Sequence, residues 1–66
     1  MTFETEPVEI DITILAETPD ALLVDDSDVE VWIPKSQISN YDSDWAINDM
    51  VKIEIPEWLA TDRGLV

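Results

Sequence analysis

The stretch VEIDITI, residues 8–14, alternates without interruption: Val8, Ile10, Ile12 and Ile14 fall on one side, Glu9, Asp11 and Thr13 on the other. Successive side chains of a strand point to opposite faces, so this period of two specifies a strand with one buried and one solvated face. The same signature returns near the other end of the chain. In MVKIEIP (50–56), Val51, Ile53 and Ile55 point inward and Lys52 and Glu54 outward. Two half-buried strands, distant in sequence, frame everything between them.

Between them, ETPD (17–20) carries turn residues, and ALLVD (21–25) is a short apolar run bounded by acids, which predicts a second strand. DDSD then reverses the chain and VEVWI (29–33) resumes β character, so residues 21–33 form a hairpin around Asp25 to Asp28. No Asn-Gly pair pins its register. Pro34 ends that strand because it cannot donate to a ladder, and PKSQI (34–38) fits a single helical or 3-10 turn with proline at its first position. SNYDSDWAIND (39–49) is a polar loop whose Tyr41 and Trp45 pin it to the core. In PEWLATDRG (56–64), proline and glutamate favour the first turn of a closing helix, and Arg63 and Gly64 favour its end. Trp58 and Leu59 are its expected anchors. The expected fold is mainly β with a short C-terminal helix: a small four-stranded SH3-like or OB-like half barrel, an architecture that hides sheet edges.

Sixty-six residues make a single compact domain, 1–66, because so short a chain buries only ~60% of its unfolded surface. With no cysteine and no histidine, neither disulfides nor the common zinc ligands can staple it. An apolar fraction of 45% with three tryptophans is too hydrophobic for a disordered acidic tail, despite a net charge of −13. MTFETEPVEI lacks the basic and apolar regions of a signal peptide, and no apolar run reaches 18 residues, so the expected location is the cytoplasm, without a membrane contact.

Catalysis is not expected, since a chain without histidine or cysteine lacks the usual tunable base and nucleophile. Lys35 and Ser36 are neighbours, but activation of a serine by lysine needs side chains that converge; Lys35 is expected as a surface charge, with Ser36 or Gln37 satisfying backbone groups. No pair among the sixteen acids stands out for glycoside hydrolysis. Asp25, Asp26, Asp28 and Glu30 put four hard oxygen donors in one turn, which leaves an acidic calcium-binding structural module open as an alternative. Asp42, Ser43, Asp44 and Asn48 echo a calcium loop weakly, without its glycine or closing glutamate. No cofactor is expected.

Charge is the most informative feature. Residues 1–34 carry ten acids and no base, whereas 35–66 carry six acids and all three bases, Lys35, Lys52 and Arg63. Such a field repels phosphates, which argues against direct nucleic-acid binding, and attracts basic surfaces, of which nucleic-acid sites on proteins are the commonest large kind. Glu9 and Asp11 stand two residues apart on one strand face, ~6.6 Å, and Glu4 and Glu6 extend that row. Carboxylates at this pitch can stand where DNA phosphates would before a basic groove. Charge retained for solubility accounts for some of these acids, though not for their asymmetry. Trp32 falls on the face opposite Val29, Val31 and Ile33, where an exposed ring would be an interface anchor; burial is the expectation, with the closing helix lying across that ring.

VWIPKSQI (31–38) and IPEWLATDRGL (55–65) resemble two signature stretches of small proteins encoded in phages and mobile elements. The resemblance covers about a third of the chain and implies that Trp32, Pro34, Lys35, Gln37, Pro56, Trp58 and Leu59 define a scaffold. By charge and size the chain is similar to anti-CRISPR and anti-restriction inhibitors that imitate DNA. The expected function is therefore a non-enzymatic, monomeric inhibitor in the host cell, with Glu9, Asp11, Asp25, Asp26, Asp28 and Glu30 facing the basic nucleic-acid-binding surface of a host defence protein complex. A phage accessory protein docking through Trp32 or the closing helix is the other alternative.

Overall fold

Strand β1 (Pro7–Glu17) serves two partners in turn. Its first half runs antiparallel to β4 (Met50–Pro56), with Pro7 opposite Pro56 and Thr13 opposite Met50. Its second half, from Thr13 onward, pairs with β2 (Ala21–Asp25), which pairs in turn with β3 (Glu30–Pro34). The computed structural model describes residues 7–65, and its four strands form one antiparallel sheet in the order β3-β2-β1-β4. The sheet does not close on itself, so the architecture is the expected mainly β half barrel with a short C-terminal helix. The alternation of residues 8–14 and 50–55 holds. The strand does not stop at Ile14, however, because Ile14 opposes Val24 while Ala16 opposes Leu23. Leu15 is thus the extra residue of a bulge, which bends β1 from one partner to the next.

The inward positions build a single core. Ile10, Ile12, Ile14, Leu22, Val24, Ile33, Ile53 and Ile55 are buried on the inner face of the sheet. Each such side chain contributes about 1.5–3 kcal/mol by leaving water, in a domain that has few of them. Helix α1 (Glu57–Asp62) follows β4 directly and adds Leu59 and Ala60 to this core. Gly64 ends it with φ +78°, the left-handed conformation that glycine adopts without steric cost. The Gly64 N–H donates to the Thr61 carbonyl (3.2 Å) and the Leu65 N–H to the Ala60 carbonyl (2.8 Å), a Schellman arrangement that turns Leu65 back into the core. Of the two expected anchors, only Leu59 is buried. Trp58 is 55% exposed, because adjacent helical positions lie ~100° apart and the buried side is already filled by Leu59 and Ala60.

After β3 the chain makes the expected 3-10 turn, Lys35–Gln37, and buries Ile38. Lys35 is not a simple surface charge. Its ammonium sits 2.6 Å from Glu17 Oε2 and 5.2 Å above the Tyr41 ring, while the Tyr41 hydroxyl donates to the same carboxylate oxygen at 3.1 Å. Tyr41 packs edge-on to Trp45, ring centres 5.7 Å apart, and both lean on the core, as the loop's aromatic residues were expected to do. The side chains of Ser36 and Gln37 make no hydrogen bond among the described residues. Backbone groups close this turn instead, Lys35 N–H to Asp20 carbonyl and Ile38 N–H to Lys35 carbonyl.

The sheet edges are treated unequally. Along β4, the Asn40 side chain donates to the Lys52 carbonyl (2.8 Å) and accepts from the Glu54 N–H (2.9 Å), and the Ser39 N–H reaches the Glu54 carbonyl. That edge is occupied. Along β3, Arg63 Nε reaches the Trp32 carbonyl and Pro34 ends the strand. Beside the first half of β1, on the side away from β4, the pairing with β2 has already ended at Thr13 and Asp25.

Candidate functional site

The six acids singled out from sequence separate into two groups. Asp25 Oδ1 accepts the Ser27 N–H at 2.9 Å, and Asp26 Oδ1 accepts the N–H groups of both Asp28 and Val29, each at 2.9 Å. These carboxylates build the β2–β3 turn, which carries Ser27 at φ +87° without a glycine. The two donated bonds, Val29 first and then Asp28, hold the Asp26 carboxyl below its ordinary value, since they favour the charged form. Glu9, Asp11, Asp28 and Glu30 are exposed and accept no side-chain hydrogen bond among the described residues. Glu4 and Glu6, expected to continue the β1 row, lie outside the described residues.

Strand register fixes which charges face one another. Asp25 is opposite Glu30 across β2 and β3, Asp11 opposite Lys52 and Glu9 opposite Glu54 across β1 and β4. Alternation sends all of these side chains to the outer face of the sheet. Like charges directly opposite each other destabilise a ladder, so the Glu9–Glu54 and Asp25–Glu30 pairs are held in place by the core beneath them. Lys52 is the only base in these pairs. Among the described residues the ion pairs within 4.0 Å are Lys35–Glu17 and Asp62–Arg63, both away from this face.

Where β2 turns away from β1, an open groove of about 380 Å³ is lined by Asp11, Thr13, Asp25, Asp26, Met50 and Lys52. Asp11, Asp25 and Asp26 therefore line one groove, while Glu9 lies further along β1. Among the described residues no group of three or more Asp, Glu, His or Cys side chains is arranged to hold a metal ion. No helix among them is long and apolar enough to cross a membrane. Trp32 is 45% exposed on the same outer face, which overturns its expected burial beneath the closing helix: Leu59 and Ala60 of α1 join the core on the other side of the sheet, and Arg63, just past the helix, reaches the Trp32 carbonyl.

Two features escaped the sequence. Glu54 joins the acidic face because of a register that only the assembled β1–β4 pair defines. The role of Asn40 along β4 had no signal beyond a loop asparagine. The acidic turn falls where it was expected, and the backbone bonds of Asp25 and Asp26 had a signal as well, because Asp two or three residues before a backbone donor is the usual pattern of an Asx turn. No protein-family model matches the chain, no curated protein is significantly similar to it, and no solved structure matches it.

Proposed function

We propose that this protein is a non-enzymatic, phage-encoded inhibitor that occupies the DNA-binding groove of a host defence complex, imitating the charge of DNA. The observation that carries this reading is the outer face of the sheet, where Glu9, Asp11, Asp25, Glu30 and Glu54 stand on a rigid scaffold beside a single lysine. Carboxylates fixed on strands are spaced at ~6.6–6.8 Å along the chain and lose little entropy on meeting a basic groove. Asp26 supports this face indirectly, by holding the turn that presents Asp28 and Glu30. The partner is a basic nucleic-acid-binding protein surface in the host cytoplasm, met by a monomer without cofactor.

Competition tests the reading. A host protein captured on the immobilised chain should be released by short duplex DNA and by raised salt, as counterion-dependent contacts are. The double variant Glu9→Lys with Asp11→Lys should capture nothing while remaining folded. Retention of the captured protein through both duplex DNA and high salt would sink the proposal. That result would favour the second reading, an accessory protein docking through an apolar surface, for which the 45% exposure of Trp32 is the supporting observation.

A further inference from the structure

The backbone of β1 carries more information than its side chains. Ile14 exchanges hydrogen bonds with the β4 side, its N–H donating to the Asp49 carbonyl (3.0 Å) and its carbonyl accepting the Asn48 N–H (2.6 Å). Backbone groups alternate in direction along a strand, so Ile12, Ile10 and Val8 also address β4, and Glu9 and Asp11 address the opposite side. An independent observation agrees. Lys52 and Glu54, their partners on β4, direct backbone groups away from β1 toward Asn40. On the open side of β1, pairing with β2 ends at Thr13, and among the described residues nothing bonds to the N–H or carbonyl of Glu9 or Asp11. The edge of β4 is filled by Ser39 and Asn40 and that of β3 is interrupted by Arg63, yet this one is left as a straight row of donors and acceptors.

We infer that the open edge of β1 at Glu9–Asp11 takes up an extended basic segment of a partner protein as a fifth, antiparallel strand. The inference keeps the basic partner proposed above and adds a main-chain mode of capture. Residues of the incoming strand directly opposite Glu9 and Asp11 would share their outer face, so lysine or arginine at alternate positions meets a carboxylate each time. A second copy of this chain is the wrong occupant. Antiparallel pairing of two β1 edges about Ile10 would set Glu9 against Asp11 twice, like charge on like charge. The same acids that block self-association therefore select a basic strand. The groove beside Asp11, Asp25 and Asp26 lies at the end of this edge, where a further basic side chain of the segment can enter.

Geometry provides a sharp test. Opposite Glu9 and Asp11 the partner residues must also direct their own N–H groups at β1, as in any hydrogen-bonded antiparallel pair. The probe is a synthetic peptide of alternating lysine and threonine, about eight residues long, enough for the ~20 Å of open edge. Two further versions carry N-methyl groups on the backbone nitrogens of either the lysines or the threonines. The unmodified and threonine-methylated peptides should bind and slow hydrogen exchange at the Glu9 and Asp11 amides. Methylation at the lysines leaves every charge in place and should weaken binding roughly tenfold or more. If all three bind alike and the two amides exchange as in the free protein, strand addition is overturned while the acidic face survives as a purely electrostatic surface. If none binds, strand addition is overturned and the displacement by duplex DNA decides the function separately.

Discussion

In the turn between β2 and β3, Asp25 and Asp26 direct their carboxylates back at their own chain; on the first half of β1, Glu9 and Asp11 direct theirs at solvent. The two regions look alike in composition and do different work. The same inward use recurs in the long loop, where Asp42 accepts the Asp44 N–H and Asp49 accepts the Ala46 N–H, each at 2.9 Å. A chain with a single glycine has built the β2–β3 turn and parts of the long loop on aspartate, and the β1–β2 turn on Thr18, whose hydroxyl oxygen accepts the Ala21 N–H at 3.0 Å. Its excess of acid therefore falls into two sets, carboxylates that accept backbone N–H groups in turns and carboxylates left exposed on the sheet, with Asp25 belonging to the turn and to the outer face at once.

The largest effect expected is one that removes the difference altogether. Both regions rest on the same core, and Ile53→Ala, at a site with no exposed surface, should cost about 2–5 kcal/mol. Against a total of roughly 3–10 kcal/mol for 66 residues, that removes a large share of the stability, and the turn and β1 should lose circular dichroism signal and hydrogen-exchange protection together at a much lower temperature. Protection surviving in either region alone would show that they fold separately.

Smaller and more selective is the removal of the turn carboxylate. Asp26→Ala abandons two backbone N–H groups and should lower the melting temperature by several degrees, whereas Asp11→Ala, with no hydrogen bond to lose, should leave it nearly unchanged. Asp26→Asn separates charge from acceptor. The folded state holds the Asp26 carboxyl below its ordinary 3.8, so near that pH the unfolded chain binds the proton more readily. Stability from this group is complete above 3.8 and is lost as the pH falls through its lowered folded value. The gap in melting temperature between the protein and Asp26→Asn should accordingly be present at neutral pH and shrink as the pH is taken below 3.8. A gap independent of pH would mean that the charge contributes nothing to the turn.

The smallest effect has the opposite sign. Glu9 faces Glu54 directly, and Glu9→Gln should stabilise by about 0.2–1 kcal/mol at low salt through loss of that repulsion. Added sodium chloride should shrink the gain by screening the pair. Destabilisation by Glu9→Gln would place Glu9 with the turn acids rather than with a face kept for a partner.

What could be read in the sequence was what depends on period. Val8 to Ile14 and Val51 to Ile55 each determine their own inward side by alternation; the same rule put Trp32 on the outer side, but whether the closing helix covers it depended on packing, and its expected burial does not hold. The remainder depended on partners brought together by folding. Leu15 breaks the period, so β1 looked shorter than it is. Six residues of helix are too few to announce a buried side, and Trp58 was misplaced. Lys35 meets Glu17 across eighteen positions, and Tyr41 meets it across twenty-four, separations that no local pattern encodes. For the candidate site, residue identities were visible; which carboxylates were already committed to a backbone N–H was not.

The pairing of Pro7 with Pro56 carries a consequence for synthesis. The ribosome delivers ~5–20 residues per second, so β1 waits roughly 2–10 s for the strand that will cover its side. Through that interval an isoleucine-rich segment of high strand propensity stands beside many identical nascent chains, the situation in which cross-chain pairing begins. Glu9 and Asp11 sit between those isoleucines. In the unfinished polypeptide they act as gatekeepers, like charges that hold apart copies with nothing else yet to pair with.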